Sequence, residues 1–125
     1  MSTKPIMTPG PEHPITLQRT AKRVTATVAG RTIADSSSTI TLDEADYPGV
    51  AYFPRADVDM DTLERTDHTT YCPFKGDASY FSIRVGDDLR ENAVWTYESP
   101  YPAVGEIKEY VAFYPDQVEI RTSND

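Results

Sequence analysis

The sequence predicts a mainly β, antiparallel fold in which helix is limited to short turns. Seven or eight short segments have the alternating polarity or the β-branched and aromatic content of strands. Gly, Pro, Asn and Asp residues separate these segments, and no stretch has the long 3.6-residue apolar period of an amphipathic helix. Parallel βαβ architectures are therefore disfavoured, because they need helices between their strands.

The first half of the chain predicts one hairpin followed by shorter strands. Val24, Ala26 and Val28 alternate with polar residues, and Ala29-Gly30 then permits a tight turn. Further segments with strand-like composition are residues 31–34, 39–42 and 50–53. Residues 55–64 have mixed composition and predict either one helical turn or an extended crossover.

The second half predicts another hairpin and two final strands. Residues 78–85 alternate with period two, and Gly86-Asp87-Asp88 turns the chain towards a strand at residues 91–97. Residues 106–110 predict a short helix, which is followed by the last strand-like segments, residues 111–114 and 118–121.

The N-terminal segment predicts an extended arm that packs on the sheets, assigned to residues 1–18. Four prolines and Gly10 within its first fourteen residues exclude helix and central strand. The total of 125 residues suits a single domain, because a chain of this size buries roughly two-thirds of its unfolded surface.

The composition and charge of the chain disfavour several classes of partner. The net charge of -8 disfavours nucleic acid and anionic membranes, since both require a basic surface. No apolar run approaches the roughly 20 residues needed to span a bilayer. A single cysteine cannot form an internal disulfide, and the N-terminus lacks the apolar core of a secretion signal, so a cytoplasmic location is expected.

The stretch from residue 66 to residue 80 gathers the most chemistry, and Cys72 and Lys75 are its candidate catalytic residues. Cys72 precedes Pro73, which favours extended backbone, and a neighbouring cation would favour the thiolate that nucleophilic catalysis needs. The alternative is that Cys72 is a small buried hydrophobe, as most lone cysteines are. Lys75, in a turn before Gly76, either binds an anionic group or is simply solvated.

Histidine chemistry and metal binding are less favoured by the spacing. In a continuous strand His68 and Cys72 would lie roughly 13 Å apart, which is too far for direct proton transfer. A structural zinc site needs four Cys or His ligands, and the chain has one cysteine and two histidines. No metal and no cofactor are therefore expected.

The candidate ligand-binding residues come from four predicted segments. Aromatic side chains with polar atoms can form the wall of a ligand site, although the same residues also serve as core. The candidates are Arg55, His68, Tyr80, Trp95 and Tyr97.

Several motifs resemble the domain of unknown function 427 family. They are PGPEHPI (residues 9–15), YFPRADVDM (52–60), THTTYCPFKGDASYF in outline (66–81), AVWTYESP (93–100) and YVAFYPDQV (110–118). The resemblance implies a tent-like β fold similar to the Mss4 group, with two antiparallel sheets packed at an angle over a shared pocket. The family is sometimes labelled nucleotidyltransferase-like, but the chain has neither a glycine-serine phosphate loop nor a spaced carboxylate pair for Mg²⁺.

The sequence thus predicts a small domain that binds a small molecule in a pocket between its sheets. Two alternatives remain open: a protein-interaction or homo-oligomerisation module without catalysis, and an enzyme that depends on Cys72 or Lys75. Monomer and homodimer are equally compatible with the sequence.

Overall fold

A computed structural model describes residues 6–123, which form ten strands and three short 3-10 helical turns. The strands are β1 (Ile15–Thr20), β2 (Arg23–Val28), β3 (Arg31–Ser36), β4 (Thr39–Glu44), β5 (Val50–Tyr52), β6 (Leu63–Cys72), β7 (Gly76–Val85), β8 (Asp88–Thr96), β9 (Val111–Phe113) and β10 (Glu119–Ser123). The 3-10 turns are Arg55–Asp57, Met60–Thr62 and Pro102–Ile107. The predicted mainly β class, with only short helical turns, is confirmed.

The described strands form three antiparallel sheets, where the resemblance implied two. The first sheet has the order β1-β4-β5, the second β10-β2-β3 and the third β6-β7-β8-β9. Within residues 6–123, backbone pairing between the first and third sheets is one isolated bridge, in which Phe53 and Val111 exchange hydrogen bonds of 2.8 and 2.9 Å. Pro54 follows immediately and has no N–H, so the pairing does not extend into one continuous sheet.

The two faces of the third sheet contribute to different cores. Side chains alternate across a strand, so Phe81 and Val94 face one way while Tyr80 and Trp95 face the other. Phe81 and Val94 pack with residues of the second sheet, such as Ile33. The opposite face packs against the first sheet and the Pro102–Ile107 turn, in a cluster that includes Tyr80, Ile40 and Ile107.

The predicted turn between β2 and β3 is present. Ala29 and Gly30 have φ values of 50° and 81°. Positive φ at both central residues is the backbone of a two-residue hairpin whose twist matches its flanking strands.

Other local expectations differ from the structure. Residues 15–18, grouped with the N-terminal arm from the sequence, are part of β1, which pairs with β4 because Ile15 and Leu17 pack against the second core cluster. The short helix expected at residues 106–110 is instead the 3-10 turn Pro102–Ile107, which begins at a proline. Residues 1–5 of the predicted arm lie outside the described residues. Within residues 6–123, no helix has the length and apolar character needed to cross a membrane.

Candidate functional site

A cavity of about 180 Å³ lies between the first and third sheets. We call it the tyrosine cavity, because five of its wall residues are tyrosines. Its walls are Leu42, Glu44, Tyr47, Pro48, Val50, Tyr52, Lys75, Tyr80, Trp95, Tyr97 and Tyr114.

The alternation of side chains along the strands directs both polar and aromatic residues into the tyrosine cavity. In β4, the side chains of Ile40 and Leu42 are buried in the core, and Glu44 follows two residues later on that face. In the third sheet, Tyr80 lies directly opposite Trp95. Paired residues of an antiparallel ladder project to the same face, so both side chains reach the cavity.

Glu44 is the centre of the charged wall. Its Oε1 accepts a hydrogen bond from Lys75 Nζ, and its Oε2 lies 2.7 Å from His13 Nε2. The side chains of Glu44 and Lys75 are only 14% and 13% exposed. Burial raises the pKa of Glu44, but the hydrogen bonds from Lys75 and His13 outweigh it and hold the pKa below its ordinary value.

The N-terminal segment holds this charged wall in place. The His13 ring stacks on the Phe74 ring, with centroids 4.0 Å apart and planes at 7°. Met7 donates its backbone N–H to the carbonyl of Pro73. The segment before β1 is thus attached to the turn that carries Lys75.

The tyrosine hydroxyls in the cavity are neutral groups. Trp95 Nε1 donates to the Tyr52 hydroxyl at 3.0 Å, and the Tyr80 hydroxyl lies 2.9 Å from that of Thr70. Burial is the main cause that raises the pKa values of Tyr52 and Tyr97 far above the ordinary range, and it raises the pKa of Tyr114 to about 12. The hydroxyls of Tyr52, Tyr97 and Tyr114 therefore keep their protons at physiological pH and act as donors or acceptors.

Two donors in the cavity wall have capacity left over. An ammonium group carries three N–H donors, and within residues 6–123 the only hydrogen-bond acceptor for Lys75 Nζ is Glu44. Lys75 Nζ also lies 5.8 Å from the centre of the Tyr97 ring. Tyr97 is 6% exposed, and its hydroxyl makes no hydrogen bond within the described part of the chain. Both side chains border the cavity, so this wall is suited to a ligand oxygen that accepts a hydrogen bond.

The structure brings four of the seven sequence-predicted site residues together. Lys75, Tyr80, Trp95 and Tyr97 all line the tyrosine cavity. The remaining three, Cys72, His68 and Arg55, are not among its walls.

Cys72 and His68 lie near the cavity without forming a pair. Cys72 is half-buried at the end of β6, opposite Gly76 and on the same sheet face as Thr70 and Ala78. The His68 ring packs against the Tyr80 ring at 4.5 Å. No hydrogen bond links the Cys72 thiol to a histidine within residues 6–123.

Arg55 lies on the opposite face of the third sheet. Its guanidinium donates to the Glu109 carbonyl at 2.6 Å and to Thr96 Oγ1 at 3.2 Å, and it lies 5.7 Å from the centre of the Phe81 ring. Thr96 and Phe81 project away from the tyrosine cavity. Arg55 therefore ties a 3-10 turn to the third sheet rather than contacting the cavity.

Sequence reasoning missed the most important acidic residue of the site. Glu44 lies just beyond the predicted strand segment 39–42 and was not selected as a site residue, but the alternation of Ile40 and Leu42, continued by two residues, places Glu44 inward. The position of His13 gave no comparable signal, because it depends on the stacking with Phe74. Within the described part of the chain, no group of three His, Cys, Asp or Glu residues is arranged to hold a metal ion.

The fold and site define a mainly β domain with a small, partly buried cavity that combines one ion pair with several tyrosines. The sequence model of the family described as Domain of unknown function (DUF427) matches residues 16–124, which is most of the chain. The protein therefore belongs to this family. The comparison with curated proteins found no match.

Proposed function

We propose that the protein binds a small molecule in the tyrosine cavity, and that the ligand has a ring-sized head with a hydrogen-bond-accepting oxygen. One observation carries this proposal: Lys75 and Tyr97 both border the cavity, and each can still donate a hydrogen bond to a ligand. A ligand oxygen placed there would accept a hydrogen bond from either group, as the few placed polar groups of a small-molecule site do.

The volume supports a compact head. Cavities of about 150 Å³ bind benzene in other proteins, and the tyrosine cavity is about 180 Å³. A six-membered ring with one substituent is therefore the right size, whereas a nucleotide is too large.

The charge balance supports an uncharged head. Glu44 and Lys75 neutralise each other, and the cavity walls carry no further charged side chain. A fully charged ligand would lose its hydration without a surplus opposite charge in the wall to compensate. The acidic character of the whole chain, with a net charge of -8, supports the same preference and disfavours nucleic acid.

Binding is better supported than catalysis. Lys75 is engaged in an ion pair with Glu44, and no hydrogen bond joins the Cys72 thiol to a histidine within residues 6–123. The enzyme alternative predicts that Cys72 reacts faster with a thiol reagent than a free cysteine does; labelling limited by unfolding would count against it. We also propose a cytoplasmic location, which the single cysteine supports.

Calorimetric titration with phenol and with toluene tests the proposal. The two probes have equal numbers of heavy atoms and differ in the oxygen. We expect phenol to bind with a Kd of about 1 mM, which is roughly 0.6 kcal/mol per heavy atom and within the limit for small ligands. Toluene should bind at least tenfold more weakly, and equal affinities would contradict recognition of the oxygen.

The substitution Lys75→Met provides the matched protein variant. It removes the donors while keeping an unbranched side chain, so we expect phenol affinity to fall about tenfold, in line with a hydrogen bond to a charged group. Lys22→Met is the control, because Lys22 is exposed in the turn between β1 and β2. Equal phenol affinity in both variants would show that Lys75 does not contact the ligand.

A second candidate function is self-association through strand β6. This strand is ten residues long and forms an edge of the third sheet, and no strand pairs with its outer side within residues 6–123. Exposed edges pair readily with another chain. Size-exclusion chromatography with light scattering distinguishes monomer from dimer, and a monomer at high concentration would exclude this function.

A further inference from the structure

A second cavity, of about 540 Å³, adjoins the tyrosine cavity. The two spaces share the walls Tyr47, Pro48, Val50 and Trp95. We call the second space the apolar cleft. The two spaces are therefore neighbours that meet at these four residues.

The apolar cleft lies where all three sheets meet. Ala51 comes from β5 of the first sheet, Phe113 from β9 of the third sheet and Ile120 from β10 of the second sheet. Pro115 also lines it, and neither a charged side chain nor a histidine is among its walls. Its chemistry is thus opposite to that of the tyrosine cavity, which is lined by an ion pair and five tyrosines.

We propose that the apolar cleft holds an apolar tail of the same ligand, so that the ligand class is an uncharged ring with one oxygen joined to a short alkyl chain. This inference rests on the proposed function, because it assumes that the head occupies the tyrosine cavity. The combination of a few placed polar groups and a larger apolar lining is typical of small-molecule sites. The joint volume also reaches the size of an ordinary ligand pocket, which the tyrosine cavity alone does not.

The homologous series phenol, 4-methylphenol, 4-ethylphenol, 4-propylphenol and 4-butylphenol tests the inference by calorimetry. The head is constant, and only the tail grows. We expect the Kd to fall about two- to fourfold for each added carbon, where about fourfold is the ~0.8 kcal/mol of a fully buried methylene. Phenol binding with no dependence on tail length would overturn the cleft but leave the proposed function standing. Failure of every member to bind would overturn both.

The variant Ile120→Gln locates the tail. It places a polar group in the cleft wall, so the gain from phenol to 4-butylphenol should shrink by about half or more, while phenol affinity stays the same. Arg121→Gln is the matched control, because Arg121 is exposed and alternates with Ile120 on the same strand. An unchanged gain in Ile120→Gln would show that the tail binds elsewhere.

A measurement on the unsubstituted protein avoids any dependence on the folding of that variant. Amide chemical shifts recorded with 4-butylphenol and with phenol should differ mainly at Ala51, Phe113 and Ile120. Differences spread over distant surfaces would indicate general apolar adsorption and would overturn the inference.

Discussion

Two carboxylates on opposite sides of the third sheet are each shared between two basic side chains. Glu44 accepts hydrogen bonds from Lys75 and lies 2.7 Å from His13, whereas Glu98 contacts Arg65 at 2.5 Å and Arg55 at 3.3 Å. The two clusters differ in burial. Glu44 and Lys75 are 14% and 13% exposed, but Glu98 and Arg65 are 37% and 50% exposed.

This difference indicates separate roles for the same charge arrangement. Exposed ion pairs contribute little because water and salt screen them, whereas the loss of one partner from a buried pair leaves an uncompensated charge. The Glu98 cluster is therefore a surface connection, and the Glu44 cluster is a strongly coupled part of the cavity wall. The hydrogen bond from Arg65 holds the pKa of Glu98 below its ordinary value. The pKa of Glu44 is lowered as well, so the two carboxylates differ in burial and not in the direction of their pKa shifts.

The largest expected effect that separates the clusters is the loss of one cation from each. Lys75→Met should lower the free energy of unfolding by about 2 to 4 kcal/mol, because Glu44 then keeps only His13 as a basic partner. Arg65→Met should lower it by less than about 1 kcal/mol. Urea unfolding of both variants measures the difference, and equal losses would contradict the contrast in burial.

The response to acid is the next largest effect. The lowered pKa of Glu44 means that the unfolded chain takes up this proton first on acidification, so the stability that Glu44 contributes is present above the ordinary value of 4.5 and is lost as pH falls below it. Glu44→Gln should remove part of this loss between about pH 5 and pH 3. Glu98→Gln should remove less, and an identical acid response in the two variants would contradict the comparison.

The smallest effects distinguish two hydroxyls within the tyrosine cavity. Tyr52→Phe removes the acceptor of the Trp95 hydrogen bond and should cost about 1 kcal/mol of stability. Tyr97→Phe removes a hydroxyl with no partner in residues 6–123, so stability should change by less than about 0.5 kcal/mol while phenol binding weakens several-fold. Thermal unfolding measures the stability of the two variants, and calorimetry measures their phenol affinity. A Tyr97→Phe variant that loses stability but keeps its phenol affinity would exclude Tyr97 as a ligand contact.

The sequence predicted much of the fold because local signals agree with the tertiary structure. The period-two pattern of residues 78–85 and the Ala29-Gly30 turn each correspond to observed elements. Strand β1 was missed because Ile15 and Leu17 become partly buried only when β1 pairs with β4. The boundary between the first and third sheets was also not predictable, because it depends on the long-range bridge between Phe53 and Val111.

The sequence predicted the aromatic part of the candidate site and Lys75, but it missed Glu44 and His13. Tyr80, Trp95 and Tyr97 are neighbours along two strands of a predicted hairpin, so their common location follows from local pairing. The contact between Glu44 and Lys75 joins residues 31 positions apart, and no pattern in a single sequence specifies such a contact. Arg55 was selected for its position after Pro54, a local signal that does not tell which face of a sheet the side chain reaches.

Trp95 lines both the tyrosine cavity and the apolar cleft, and it is the only tryptophan in the chain. Its indole donates to Tyr52 and lies 4.6 Å from the Tyr114 ring. We therefore expect the emission of this one tryptophan to change when a ligand fills either space. The protein carries its own optical reporter, so compound collections can be screened for ligands without any label.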